Sequence, residues 1–290
     1  MVRHSRRLDL LTNQSQSPAL GAAAANKDAT RGCSLLDFRK DVFSQYGEDG
    51  IIAEIIRLIG AENRFFVEFG AGDGLYLSNT RALAQQGWSG VWIEADSDKF
   101  QGMQENAKGF SIRCVHRRIG ICENTIDGVL DEVGAPENPD LCIIDIDGDD
   151  WQVWESMVRS RPRCVVVEAN PTFPLNVEFV QKEGSYIGNS ALALALLGKA
   201  KGYALVCYNG LNCFFVREDL ASRLHLADRR FAALYLLDAV ADLYAASSYD
   251  GKIFVVGNAV YGFREVAQTS DLAREAFKLN VYYGEWLLEF

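Results

Sequence analysis

Four oxygen-bearing side chains stand at the ends of two apolar runs. Asp145 and Asp147 close the run Asp140-Leu141-Cys142-Ile143-Ile144-Asp145-Ile146-Asp147, and Glu168 and Asn170 follow the run that begins at Arg163. Read as one strand, Asp140 to Asp147 puts Asp145 and Asp147 on the same face, because side chains alternate along a strand. Carboxylates gathered in this way support two kinds of chemistry. One of them, with Asp147 and Asp145 as candidates, accepts a proton as a general base. In the other, Asp147, Glu168 and Asn170 supply the hard oxygens that a divalent cation such as magnesium prefers. Asp149 and Asp150, just beyond, read as caps of a helix entering at Trp151.

Two further runs bring in a nucleoside. Phe65-Phe66-Val67-Glu68-Phe69 leads directly into Gly70-Ala71-Gly72-Asp73-Gly74, and Gly90-Val91-Trp92-Ile93 ends in Glu94, 20 residues after Gly74. Glycines admit positive φ and let a ligand approach bare backbone. An acid at the end of the next strand is placed to take ribose hydroxyls. A dinucleotide turn needs G-x-G-x-x-G, whereas Leu75 stands where its third glycine belongs. Glu68, just ahead of the turn, is also expected to repel a pyrophosphate. S-adenosylmethionine (SAM) has no phosphate and carries a cationic amine and a sulfonium. The expected cofactor is therefore SAM, held by Glu68, Gly70, Gly72, Asp73, Gly74 and Glu94. Ser78 and Asn79 at the following helix start are expected either to bond its carboxylate or simply to cap.

Three motifs in order resemble the FkbM-like SAM-dependent methyltransferases. They are Ser44-Gln45-Tyr46-Gly47-Glu48-Asp49-Gly50, the run Val67 to Gly74 with Ser78-Asn79-Thr80, and Asp145-Ile146-Asp147-Gly148-Asp149-Asp150, so that the likeness spans roughly residues 41 to 217. The resemblance implies O-methyl transfer to a hydroxyl of a carbohydrate or small natural product. In that setting Asp147 or a neighbour accepts the hydroxyl proton. The resemblance also implies a segment before the first strand that folds over the cofactor, with Gln45 and Asp49 as its contacts. The acids of the fourth and fifth strands are similar to those of metal-dependent O-methyltransferases. Two other readings stay open: a non-catalytic SAM-binding partner subunit, and an NAD-dependent sugar oxidoreductase.

The elements that must position these residues alternate as a doubly wound α/β domain does. Residues 50–60 read as a helix. Strands are expected at 64–69, 91–94, 111–116, 140–147, 163–168, 203–207 and 211–216, with helices near 78–86 and 97–107. The expected fold is a Rossmann-like seven-stranded methyltransferase sheet with helices on both faces, plus a C-terminal extension at 218–290. In that extension Arg229 to Tyr244 has helical spacing, and Tyr282, Tyr283 and Trp286 suit sugar stacking, a homodimer face or core packing.

Composition narrows the class. The chain has 290 residues, 49% of them hydrophobic, enough for one large core. Residues 1 to 40 carry seven Lys/Arg against three Asp/Glu, net +4, which leaves −14 on residues 41 to 290 of a chain whose net charge is −10. An acidic body repels a phosphate backbone, so no nucleic-acid partner is expected. Residues 1–40 read as a disordered tail. No run is long and apolar enough for a membrane span. The seven cysteines form no C-x-x-C pair, and Cys142, Cys164 and Cys207 lie in apolar runs, which suits a reducing cytoplasm.

Overall fold

The computed structural model describes residues 34–174, 176–226, 228–234, 243–247, 253–257 and 280–281. Seven strands form one sheet: β1 (Phe65–Phe69), β2 (Ser89–Glu94), β3 (Ile112–His116), β4 (Leu141–Ile144), β5 (Cys164–Glu168), β7 (Tyr203–Tyr208) and β8 (Asn212–Arg217). Their order is β3-β2-β1-β4-β5-β8-β7. β1 to β5 pair in parallel, and β8 runs antiparallel to both β5 and β7. This is the Rossmann-like methyltransferase sheet that the strand pattern predicts. The short β6 (Val177–Glu178) pairs with β11 (Asn280–Val281), and β9 (Leu243–Ser247) with β10 (Ile253–Gly257).

Alternation along the strands makes two apolar faces. Phe66, Trp92, Ile143 and Val166 pack beneath α1 (Glu48–Ile59), α2 (Arg81–Gln85) and α3 (Ser97–Asn106), to which Ile51, Ile55, Leu83 and Met103 belong. Val67, Ile93, Ile144 and Val165 face α4 (Ile126–Glu132), α5 (Asp150–Ser156) and α6 (Ala191–Ala200), with Val129, Trp154 and Leu194. The parallel strands, covered on both sides, therefore read as continuous apolar runs. Buried Cys142, Cys164 and Cys207 behave as small core residues. α4, which periodicity alone does not mark, begins at Thr125, whose hydroxyl accepts from Gly128 N.

Three expectations on local structure are corrected. β4 stops at Ile144, so Asp145 and Asp147 lie beyond the strand, and Asp147 takes a left-handed φ of 58°. Among the described residues of the stretch Arg229 to Tyr244, Phe231–Leu234 forms α8, after α7 (Glu218–Ala221), while Tyr244 belongs to β9 and not to a helix. Within the stretch read as a tail, Leu35–Phe38 forms a 3-10 helix with Leu35 buried. Residues 1–33 and Tyr282, Tyr283 and Trp286 lie outside the described residues. Among the described residues no helix is long and apolar enough to cross a membrane.

Candidate functional site

β1 leads to strands on either side of it, β2 and then β3 one way, β4 and then β5 the other. Sheets of this kind bind ligands in the crevice outside that switch point, at the carboxyl ends of the strands. A cavity of about 810 Å³ opens there, lined by the glycine turn, Glu94, Arg118, Asp145, Asp147 and Glu168, with Gln45 and Asn79 at its wall.

The turn is tied to the next strand by backbone bonds: the amides of Gly70 and Ala71 both donate to Ile93 O. Glu94 completes the tie. Its Oε2 accepts from Gly72 N at 2.8 Å, and its Oε1 accepts from Ala95 N and Asp96 N at 2.7 and 2.8 Å. Glu94 thus both lines the cavity and holds the glycine turn in shape. The three glycines have different reasons. A Cβ on Gly70 would stand 1.6 Å from Asp145 O, and one on Gly74 would meet the Trp92 ring at 2.6 Å, so both are packing glycines. Gly72 faces open space with φ 57°, which leaves it free to accept a ligand.

Several expected cofactor contacts sit elsewhere. Glu68 lies beneath the turn and is absent from the cavity wall. Its carboxyl accepts from Ser78 Oγ (3.0 Å), Asn79 N (2.7 Å) and Thr80 Oγ1 (2.5 Å), so it binds β1 to the segment that starts α2. Burial pushes its pKa up to about 7, against the pull of those three donors. Ser78 is likewise spent on Glu68. Asp49 also points inward: its Oδ2 accepts from the amides of Val42, Phe43 and Ser44 and from Ser44 Oγ, closing the loop ahead of α1. Asp73 is on the wall, and its Oδ1 accepts from Leu75 N and Tyr76 N. His116 stacks on Phe100 and bonds Ala95 O from an exposed position.

The acids gather as expected, with one exchange. Single oxygens of Asp145, Asp147 and Glu168 lie within 4.8 Å of one another. Asn170 does not line the cavity: its Oδ1 accepts from Thr172 N and Oγ1 and its Nδ2 donates to Ile187 O. Asn212, opposite Glu168 in the β5–β8 ladder, lines the cavity instead and has a buried Oδ1 without a hydrogen-bond partner. Its Nδ2 donates to Glu48 Oε1, as does Asn209 Nδ2, which joins the first residue of α1 to the β7–β8 hairpin. No pattern along the chain links residue 48 to 209 or 212, so this part of the wall is visible only once the sheet is assembled.

Burial and mutual repulsion govern these carboxyls. Asp145 is held well above the usual carboxylate range, first by desolvation and then by Asp150, Asp147 and Glu68. Glu168 is raised likewise, first by desolvation and then by the neighbouring Asp145, Asp150 and Asp147. Asp149 is the N-cap of α5 by position, yet its Oδ1 accepts from Gln181 and from Gly184 N. Asp150 closes the turn that carries Asp147, accepting from Ile146 N and Gly148 N at 2.9 Å each, and burial raises it to about 6. The arrangement can hold a proton between carboxyls beside the glycine turn.

No family model matches the sequence, and no curated protein matches it. Solved structures that are similar include a magnesium protoporphyrin IX methyltransferase from Synechocystis with bound SAM, 12% identical, covering 59% of this chain and 77% of that chain at a TM-score of 0.37. Another is a SAM-dependent methyltransferase from Clostridium acetobutylicum, 8% identical, covering 59% and 92% at 0.41. A third is a TehB-like SAM-dependent methyltransferase from Corynebacterium glutamicum, 11% identical, covering 61% and 89% at 0.36.

Proposed function

We propose that this chain is a SAM-dependent O-methyltransferase of the FkbM-like kind, moving a methyl group to a hydroxyl of a carbohydrate or small natural product. The observation that carries the reading is one cavity lined by both the Glu94-braced glycine turn and the acids Asp145, Asp147 and Glu168. Gly72, Asp73, Asn79, Glu94 and Gln45 face the cofactor. The acceptor hydroxyl lies against the acids, and its oxygen attacks the methyl carbon while the sulfonium sulfur leaves with the bonding pair. Its proton passes to Asp145, Asp147 or Glu168. Alignment in a closed crevice supplies a large share of the rate.

A second reading is favoured by the same three acids. Asp145, Asp147 and Glu168 offer hard oxygens, and the unpartnered Oδ1 of Asn212 stands opposite Glu168, a donor set that suits Mg2+. A cation there would lower the pKa of the acceptor hydroxyl. The test is calorimetric titration with SAM, S-adenosylhomocysteine and NAD, each with and without magnesium, followed by transfer of labelled methyl to hydroxyl acceptors. Binding of both adenosyl ligands supports the proposal. Binding of NAD alone overturns it, and activity indifferent to magnesium and to chelators removes the second reading.

A further inference from the structure

Opposite chemical characters meet in this one cavity. Its inner part carries the mutually close Asp145, Asp147 and Glu168, while Arg118 stands on the wall contributed by the chain just after β3. The neighbouring Arg117 is committed to Glu132, with nitrogen-to-oxygen distances of 3.0 and 3.3 Å. Arg118 has no carboxylate partner among the described residues. Its Nη2 donates to the neutral Tyr186 hydroxyl at 3.2 Å, from the other side of the cavity lining. A guanidinium has five N–H donors in a planar fork suited to carboxylate and phosphate, so beyond the bond to Tyr186 most of that capacity has no protein partner among the described residues.

Tyr186 is held in place by the turn that bears the acids. Gln181 Oε1 accepts from Ile187 N and Gly188 N at 2.8 Å each, while its Nε2 and Gly184 N donate to Asp149 Oδ1. Asn189 Nδ2 reaches Gly148 O at 2.8 Å. A Cβ on Gly148 would stand 3.4 Å from Tyr186 Cα, so the loop lies directly on the residue after Asp147. Tyr186 adopts a left-handed φ of 54° and is 70% exposed. A non-glycine residue kept in that region by so many anchors is a pattern of ligand clamps.

We propose that the acceptor carries an oxyanion, a carboxylate or a phosphate ester, set apart from its reacting hydroxyl, and that Arg118 and Tyr186 clamp that group at the mouth. The inference rests on the methyltransferase reading. The hydroxyl end is drawn to the acids, the anionic end is repelled by them and held by Arg118, and this polarity fixes which hydroxyl is presented. Arg118 and Tyr186 are specificity residues, distinct from the groups that take the proton.

The test compares acceptors that differ only in this group: methyl glucoside, glucuronate and glucose 6-phosphate, with 4-methylphenol, 4-hydroxyphenylacetate and 4-hydroxybenzyl phosphate as a second series. Wild-type kcat/KM is expected to favour a charged member over its neutral partner by on the order of tenfold to a hundredfold, the range of a hydrogen-bonded charge. The carboxylate and phosphate arms identify which oxyanion is meant. Arg118→Ala is expected to abolish the preference through KM, Arg118→Lys to restore part of it, and Tyr186→Phe to weaken it a few-fold, with SAM affinity unchanged in all three. Transfer to neutral acceptors only, transfer to none of the charged ones, discrimination that survives Arg118→Ala, or a loss of SAM affinity in that variant each overturns the inference. If the wild type fails to bind SAM in the parallel titration, it is the methyltransferase reading that falls.

Discussion

Asp145 and Glu168 stand at the ends of the adjacent parallel strands β4 and β5, with a carboxyl oxygen of each within 4.8 Å of the other. Burial and the surrounding acids hold both groups well above the ordinary carboxylate range, so the pair keeps a proton where free carboxyls have lost theirs. Proton acceptance from a hydroxyl requires that proton to be gone. Methyl transfer is therefore expected to rise with pH as the pair ionises, while SAM binding changes little. Asp145→Asn and Glu168→Gln should each flatten the rise and lower kcat by about a hundredfold or more, the usual range of a general base. A pH profile of kcat that is level in the wild type would remove the pair from proton transfer.

How much of this was legible in the chain depends on the distance over which each feature is encoded. The glycine turn, Glu94 and the seven strands rest on contiguous runs, and the structure has them at or within a few residues of the expected positions. Asp145-Ile146-Asp147 misleads because polar–apolar alternation is equally compatible with a strand and with a turn closed by Asp150. Glu68 misleads for a related reason: an acid beside a cofactor turn reads the same whether it faces outward or binds Ser78, Asn79 and Thr80 inward. Asn212, Gln181 and Tyr186 reach the cavity only through pairings between distant segments, which no local spacing encodes.

Glu68 yields a stability prediction with a definite sign. Its folded pKa of about 7 lies above the value of 4.5 taken for an unperturbed glutamate. The native state thus holds this proton more tightly, and the contribution is fully present below the unfolded pKa and lost as pH rises through 7. The span corresponds to about 3 kcal/mol at most. Urea unfolding of wild type and Glu68→Gln at several pH values between 4 and 8 should show the wild type losing ground relative to the variant as pH rises. An unchanging difference would mean that the carboxyl is not desolvated as the structure has it.

At the amino end of the sheet, away from the cavity, Arg163 and Asp140 form a buried pair at 3.0 Å, and Asp140 also accepts from the amides of Glu62, Asn63 and Arg64. Removing Asp140 leaves those three amides without their acceptor and Arg163 with only the largely exposed Glu62, at 2.6 Å, as a carboxylate partner. Asp140→Ala is expected to cost about 3 to 5 kcal/mol, visible as a lower thermal midpoint. SAM affinity measured well below that midpoint should match the wild type, since no cavity residue is touched. A variant that melts normally would show that the pair is dispensable to the fold.

The two glycines Gly70 and Gly72 separate folding from binding within one turn. Alanine at 70 drives a methyl group into Asp145 O and forces β1 away from the chain leaving β4, a backbone collision that no rotamer relieves. Gly70→Ala is expected to destabilise the chain by more than about 3 kcal/mol, as only the more severe core lesions do. Alanine at 72 meets nothing within 4 Å but must hold φ near 57° and projects toward the cofactor side of the cavity. Its strain is about 1 to 2 kcal/mol, while its methyl group occupies the approach that a ligand needs. Thermal melts and SAM titrations of the two variants should therefore diverge, Gly70→Ala failing in the melt and Gly72→Ala chiefly in the titration. Normal SAM affinity in a folded Gly72→Ala protein would mean that the cofactor does not press against this part of the turn.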